Sequence, residues 1–273
     1  MCAWRATVYE PVGGSPAGKS PAAETQAVRL LNTGGNRVDV WGMIYRDQWS
    51  GRQASHVIER DDGLVDTFES AAMYFEAPRS EPERVLLDRL TGPVLDLGCG
   101  AGAHTLYLQQ RGLRVTAVDA SAGAVDVCRA RGCADARVMD VRWLELPPGE
   151  YRGIITMGNT LGVHQTPETL PKLFATLRHS STDQAHLVCT TLDPLETEDP
   201  VHLEYHRKNR ERGLPPGLTT IRMKYRDLVG DWAPLWLLTT QELEEAVSGS
   251  GWELESRRAL GPYRIDLYAA AAV

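Results

Sequence analysis

The sequence predicts an α/β fold: a doubly wound, mostly parallel sheet with an antiparallel closing strand, a helical N-terminal cap and an insertion after the fifth strand. Three observations lead there. From residue 91 onward, short apolar runs alternate with amphipathic segments at the interval of successive strand-helix units, the pattern of a parallel sheet with helices on both faces. Gly112 and Gly132 stand where the first two helices should stop, because glycine takes the left-handed conformation of a helix C-cap without a Cβ penalty. The last two strand-like runs are joined by the short turn Gly261-Pro262, a connection suited to an antiparallel pair.

Taken in order, residues 1–35 are rich in Gly, Pro, Ala and Ser without sustained periodicity, as in Pro11-Val12-Gly13-Gly14-Ser15-Pro16, and read as a mobile tail. Between residues 38 and 75 the aromatic side chains Trp41, Tyr45, Trp49, Phe68, Tyr74 and Phe75 appear among acidic ones. Residues 36–90 are therefore expected to form a cap of packed helices, ending in a short helix over 83–90. The core, 91–273, opens with a buried strand at 93–97, a helix over 101–111, a strand at 114–118 and a helix over 122–131. A third strand is expected at 137–139 and a fourth at 154–157. A helix over 167–177, with Thr166 as N-cap and Pro167 at its first position, leads to a fifth strand at 186–192. Residues 193–236 form the insertion, helix-like at 201–212 and strand-like at 219–228. Ligands of this architecture bind at the carboxyl edge of the sheet, so the insertion is the expected substrate cover. A helix over 240–247, capped by Thr239 or Thr240, precedes the closing strands at 252–260 and 264–270.

Composition narrows the function classes. The 273 residues are enough for one large domain or a domain with an elaborated cap, and 42% hydrophobic with 24% charged residues is ordinary for a globular chain. No run of eighteen apolar residues and no secretory leader pattern is visible, so a cytoplasmic protein without a membrane role is expected. The five cysteines, Cys2, Cys99, Cys128, Cys133 and Cys189, are odd in number and form no C-x-x-C pair, which argues for reduced thiols rather than a disulfide framework or a zinc site. His202 and His206 are spaced for metal ligation, but Leu203 stands where the glutamate of H-E-x-x-H would be, and no metal is expected. A net charge of -7 without a basic block speaks against nucleic acid, and Arg207, Lys208, Arg210 and Arg212 read as a solvated helix face.

The chemistry is carried by Val94-Leu95-Asp96-Leu97-Gly98-Cys99-Gly100-Ala101-Gly102. A strand ending in Asp, then glycines at alternate positions and a helix start, lets a ligand approach backbone that side chains would block. The free N–H groups of the helix start suit the carboxylate of an amino-acid moiety. The spacing is G-x-G-x-G, with Ala103 where a dinucleotide loop would place its third glycine, and Asp96 would repel a pyrophosphate but can pair with an ammonium. Asp119 closes the next strand, where it can accept from ribose hydroxyls, and Asp140 the one after, where it can accept from an adenine amino group. Together they describe a pocket for adenosine bearing a zwitterionic tail.

In this order the elements resemble the class I S-adenosylmethionine-dependent methyltransferases over roughly residues 91–192 and, more loosely, through the final strand pair. The resemblance implies a seven-stranded sheet whose last strand is inserted antiparallel, with S-adenosylmethionine as cofactor and S-adenosylhomocysteine as product. It places the cofactor against Asp96, Gly98, Cys99, Gly100 and Gly102, against Asp119, Ala120 and Ser121, and against Asp140 and Val141, while His104, in the first helix turn beyond the loop, would touch the cofactor carboxylate or serve as a capping or solvent-facing residue. Met157, Gly158 and Asn159 follow the fourth strand, at the position that faces the transferring methyl group in similar enzymes. The Asn/Asp-Pro-Pro-Tyr signature of amide and nucleobase enzymes is missing there, as is the acidic cluster of magnesium-dependent catechol enzymes. Arg60-Asp61-Asp62-Gly63 with Tyr74-Phe75 is similar to a cap in a largely uncharacterised bacterial and archaeal branch.

Methyl transfer is an in-line displacement that needs a base only when the nucleophile arrives protonated. His164, in the loop after the fourth strand, is the candidate base, against a surface role. Glu59, Asp61 and Asp62 would hold a cationic substrate or simply be solvated, and Tyr45 and Tyr74 would touch the cofactor or pack together; Tyr263 reads as a hairpin residue. The expected function is methyl transfer to an O, N or C nucleophile of a small molecule. Two rivals stay open: the same fold diverted to ring closure or elimination, and a cofactor-binding subunit that docks through the aromatic cap or Trp232 and Trp236. Both a homodimer and a partner subunit are compatible with the sequence.

Overall fold

The computed structural model describes residues 38–271. The tail over 1–35 and Cys2 lie outside the described residues. The chain runs α1 (Val40–Trp49), β1 (His56–Arg60), β2 (Val65–Phe68), α2 (Glu81–Leu87), β3 (Val94–Leu97), α3 (Ala103–Gln110), β4 (Val115–Asp119), α4 (Ala122–Ala130), β5 (Asp135–Val138) and β6 (Tyr151–Thr156). It continues with α5 (Leu170–His179), β7 (Ser181–Leu192), α6 (Pro200–Glu211), β8 (Leu218–Tyr225), β9 (Leu228–Val229), β10 (Ala233–Trp236), α7 (Thr240–Val247), β11 (Trp252–Leu260) and β12 (Tyr263–Ala270).

Seven strands form the expected core sheet in the order β11-β12-β7-β6-β3-β4-β5. β3, β4, β5, β6 and β7 are parallel, and β12 is inserted antiparallel between β7 and β11. All four residues of β3 are buried, as befits a central parallel strand with helices on both sides. On one face Leu95, Ile154, Leu187 and Tyr268 pack with Phe174 and Leu177 of α5 and Leu243 of α7. Trp252 closes this cluster and donates its indole N–H to the Phe174 carbonyl at 3.2 Å.

Two helix starts show how local chemistry decides boundaries. α7 begins at a full capping box: Thr239 Oγ1 accepts from Glu242 N at 3.2 Å, and Glu242 Oε2 accepts from Thr239 N at 2.8 Å. α5 does not begin at Thr166 as expected but three residues later, with Thr169 as N-cap and Pro171 in the first turn. A helix opening at Pro167 would put Pro171 where an N–H must bond back four residues, and proline has none. Thr239→Ala should therefore cost about 1 kcal/mol and lower the thermal midpoint by roughly 2–4 °C. Thr166→Ala should stay within about 0.5 kcal/mol in the same melting experiment.

The cap differs from the helical expectation. Besides the helices α1 and α2 it holds a 3-10 turn at Ala72–Phe75 and the hairpin β1-β2. The cap and the insertion are also not separate covers: β1 pairs with β8, giving a second sheet in the order β10-β8-β1-β2 with β9 beside β8. Alternation along β1 turns His56, Ile58 and Arg60 inward, while Val57 and Glu59 face the other way. The register places Met223 opposite Ile58 and Ile221 opposite Arg60, so the inner face continues across both segments. α1 packs under one end of this face and α6 under the other, where Arg60 lies 4.1 Å from the Tyr205 ring centroid. An isolated bridge between Val163 and Leu235 ties the second sheet to the loop after β6.

Candidate functional site

The glycine loop leaves β3 with Gly98, Gly100 and Gly102 at φ of 80°, 52° and 81°, a region L side chains rarely adopt. Space as well as dihedral demands glycine. A Cβ on Gly98 would lie 2.3 Å from Thr160 Cγ2, and one on Gly102 would lie 2.5 Å from Cys133 Sγ. The N–H groups of Gly98 and Cys99 both donate to the Val118 carbonyl, at 2.8 and 3.0 Å, which fixes the loop against the end of β4.

Three carboxylates converge here. Asp119 accepts from Gly100 N at 2.9 Å and from Ser121 N at 2.8 Å. Burial pushes its carboxyl up to about 6, with Asp39 and Asp96 adding repulsion. Asp96 is buried under the loop, accepts from Thr105 Oγ1 at 2.6 Å and is likewise raised by burial. Asp39 caps two helices at once: it accepts from Gly42 N of α1 at 2.8 Å, and from Ser121 Oγ and Gly123 N at the start of α4 at 2.7 and 2.8 Å. Among the described residues no cation forms an ion pair with any of the three. A ligand that brings donors and positive charge would relieve this concentration of acid.

The cap supplies the roof. Tyr45 Oη lies 3.2 Å from where a Gly100 Cβ would be, and its ring stacks on Trp41 with centroids 5.5 Å apart and meets Tyr74 edge-on at 5.7 Å. The phenol of Tyr74 is pushed up to about 12 by burial, so both phenols stay protonated donors. On the opposite side the exit of β6 is bolted to β7: Gly158 N donates to Thr190 Oγ1 at 2.6 Å, and Asn159 Oδ1 accepts from Leu192 N at 2.6 Å. Asn159 itself is left-handed at φ 63°, and Met157 is buried.

Other expected residues have local partners. His104 Nε2 sits 2.8 Å from Glu83 Oε1 of α2. Asp140 is held by Arg142, whose side-chain hydrogen bond is the main reason its carboxyl stays low. That pairing uses three of about four acceptor sites and leaves one for a ligand donor. Ser121 caps α4 through Ala124 N at 2.9 Å, Ala120 is exposed beside it, and Val141 starts a 3-10 turn. Although a hydrogen bond with Cys128 pulls the Cys99 thiol down, burial and the neighbouring carboxylates leave it raised, and it is no nucleophile. Cys99, Cys128, Cys133 and Cys189 are all buried and unbridged.

The structure separates the acidic run of the cap from the loop chemistry. Glu59 projects from the outer face of the second sheet, where Arg222 and then Lys224 lower its carboxyl to about 2. Asp62 is held bidentately by Arg60 at 2.8 and 2.7 Å, and Asp61 accepts from Tyr205 Oη at 2.9 Å. His164 has a left-handed backbone at φ 57°, donates its N–H to the Pro234 carbonyl at 3.0 Å, and bears electrostatically on Asp140. His56 was not anticipated. It stacks on Phe68 at 5.0 Å beside Trp41 and Tyr74, and its Nδ1 lies 3.0 Å from the Ala54 carbonyl. Nδ1 must therefore carry the proton, and Nε2 offers an unpartnered lone pair. Burial lowers its pKa and keeps the ring neutral.

Among the described residues no group of three or more His, Cys, Asp and Glu side chains could hold a metal ion, and no helix is long and apolar enough to cross a membrane. Residues 94–181 match the family model described as a methyltransferase domain. The fold is similar to that of an S-adenosylmethionine-dependent methyltransferase from Bacteroides fragilis solved with S-adenosyl-L-homocysteine, at 23% identity and a TM-score of 0.72 over 86% of this chain and 95% of that one. It is also similar to one from Methanosarcina mazei, at 14% identity and a TM-score of 0.58 over 70% and 98% of the two chains. The CcbJ methyltransferase from Streptomyces caelestis follows at 18% identity and a TM-score of 0.56 over 69% and 88%. No curated protein matches the sequence.

Proposed function

We propose that this chain, whose residues 94–181 match a methyltransferase domain and whose fold is similar to that of S-adenosylmethionine-dependent methyltransferases, is a class I enzyme of that kind and moves a methyl group from S-adenosylmethionine to an O, N or C nucleophile of a small molecule. The observation that carries the cofactor is the left-handed glycine loop ringed by Asp39, Asp96 and Asp119 without an ion-paired cation. Bound there, S-adenosylmethionine supplies an electrophilic methyl carbon on a positively charged sulfur. Asp96 pairs with the ammonium, Asp119 accepts from the ribose hydroxyls, and the remaining acceptor site of Asp140 takes the adenine amino group. Gly98, Cys99, Gly100 and Gly102 admit the cofactor to the backbone, with Ala120, Ser121 and Val141 along the adenosine. Tyr45 and Tyr74 exclude water from above, and Met157, Gly158 and Asn159 face the methyl group.

Much of the acceleration comes from holding methyl and nucleophile in line, and the three hydrogen bonds that fix the β6 exit to β7 support such a role there. Where the acceptor must lose a proton, His164 stands in the loop after β6, while His56 presents a neutral lone pair. His164→Gln and His56→Gln, each with unchanged S-adenosylhomocysteine affinity, separate the two: the true base loses at least a hundredfold in kcat, regained in part at high pH.

Calorimetric titration with S-adenosylmethionine and S-adenosylhomocysteine, followed by acceptor screening with methyl-labelled cofactor, tests the reading. Micromolar binding with label transfer supports it. Binding without transfer to any acceptor points instead to a diverted reaction, and absence of binding removes the assignment.

A further inference from the structure

Where α4 ends, a single guanidinium spans the glycine loop and the cap. Arg131 is the C-cap of α4, and Gly132 turns the chain away at φ 103°. The last turn of that helix lies against the loop: a Cβ on Gly102 would lie 2.6 Å from Cys128 Sγ. From there Arg131 Nη1 donates to the Ala101 carbonyl at 2.6 Å, and Nη2 donates to the Phe75 carbonyl at 2.8 Å. Ala101 stands between Gly100 and Gly102, and Phe75 directly follows Tyr74, whose ring meets Tyr45 in the roof.

The contact is built for an arginine. Its Cζ lies 4.8 Å from the Phe75 ring centroid and 5.9 Å from that of Trp49, two rings stacked with 5° between their planes. The cation is thus held by aromatic faces as well as by carbonyls. Phe75 in turn meets Tyr45 edge-on at 6.1 Å. A charged donor makes short, strong bonds to a carbonyl, and the planar fork fixes two carbonyls relative to each other, which an ammonium on a flexible stem does not.

Through this fork the state of the loop reaches the cap. A ligand biases a second element only through contacts that differ between its states. Asp39, Asp96 and Asp119 crowd the loop with acid, so a ligand that brings donors and positive charge steadies it. A steadied loop fixes the Ala101 carbonyl, the carbonyl fixes Arg131, and Arg131 fixes the turn that carries Tyr74. Asp39 joins α1 to the start of α4, whereas Arg131 joins the 3-10 turn of the cap to its end.

We propose that Arg131 is a positioning residue that couples cofactor occupancy of the glycine loop to closure of the cap, so that the Tyr74 turn is ordered over the loop when the cofactor binds. The assignment rests on the methyltransferase reading above. Such coupling is reciprocal: the ordered turn raises cofactor affinity by the factor by which the cofactor steadies the turn.

The test is amide hydrogen exchange on the full chain, with and without S-adenosylhomocysteine at a concentration that saturates each variant. The Tyr74 N–H is bonded to the Ala71 carbonyl at 3.0 Å, so its exchange reports opening of the turn. In the parent, S-adenosylhomocysteine is expected to slow that exchange at least tenfold. In Arg131→Lys, which keeps the charge but not the fork, the slowing should fall below threefold and affinity at least tenfold. Arg129→Lys is the matched control: two residues earlier on α4, Arg129 also donates twice to a backbone carbonyl, that of Ala136 at 3.0 and 2.6 Å, away from loop and cap. It should keep both the slowing and the affinity of the parent. Slowing that persists in Arg131→Lys, or is lost equally in Arg129→Lys, overturns the proposal, as does a parent that binds S-adenosylhomocysteine without protecting the Tyr74 amide. Failure of the methyltransferase reading is seen separately, as no heat when S-adenosylhomocysteine is added to the parent.

Discussion

Asp119→Ala is expected to weaken S-adenosylhomocysteine binding more than tenfold, at least about 1.4 kcal/mol, while leaving the chain folded. Its carboxylate does two jobs that alanine abolishes. It receives the Gly100 and Ser121 N–H groups, holding the glycine loop in its left-handed path, and it has lone pairs left over for ribose hydroxyls. Burial lifts its pKa to about 6 in the free protein. Hydroxyl donors favour the ionised form, so cofactor binding must expel whatever proton the carboxyl holds. Below about pH 6 the free protein is protonated there and binding competes with that proton; above it, nothing is expelled. Affinity should thus be flat from about pH 7 upward and fall toward tenfold per pH unit below about 6, near tenfold weaker at pH 5. Asp119→Asn should bind weakly and show no such slope. Calorimetry at pH 5, 6 and 7.5 in buffers of differing ionisation heat measures affinity and proton release together. Parent affinity that does not change over this range, or an alanine variant within threefold of the parent, removes Asp119 from the site.

Because glycine loops and strand-end acids are local, they were legible in the sequence. Asp96 stands one residue before the end of β3, Asp119 ends β4 and Asp140 lies two residues past β5, since the chain must turn there whatever surrounds it. The antiparallel close at Gly261 was equally local. The second sheet was not. β1 and β8 are separated by more than half the chain, and the pairing of Ile58 with Met223 leaves no mark in either segment alone. One signal was available and pointed the right way: Asp62-Gly63 between runs of alternating polarity is a hairpin signature, yet the neighbouring aromatics suggested helices. That misreading carried over to Glu59, whose side of β1 is decided by strand alternation. Asp39 could have been found as an acid three residues before Gly42, the spacing of an N-cap. Its second grip, on α4, depends on tertiary contact.

That second grip leads to the other large effect, at Gly123. On helix propensity alone, alanine at an α-helical glycine should stabilise by about 0.5–1 kcal/mol. Here the opposite is expected. α1 crosses α4 with backbone against backbone: a Cβ on Gly123 would lie 2.5 Å from Gly42 Cα and 2.9 Å from its carbonyl carbon, atoms that cannot rotate away. Gly123 N is also bonded to Asp39, which caps α1. Forcing the helices apart strains both contacts and should cost about 1–3 kcal/mol of stability. Because Tyr45 rides on α1 three residues beyond Gly42 and reaches over Gly100, the same displacement uncovers the glycine loop, and S-adenosylhomocysteine affinity should fall more than tenfold. Gly112→Ala is the matched control. That residue is left-handed at φ 83° with nothing near its missing Cβ, so alanine there should cost about 1 kcal/mol through backbone strain with affinity unchanged. Equal affinity losses in the two variants would mean that binding merely follows stability. A loss confined to Gly123→Ala would mean that the cofactor pocket is assembled by the cap, through a crossing that only two glycines permit.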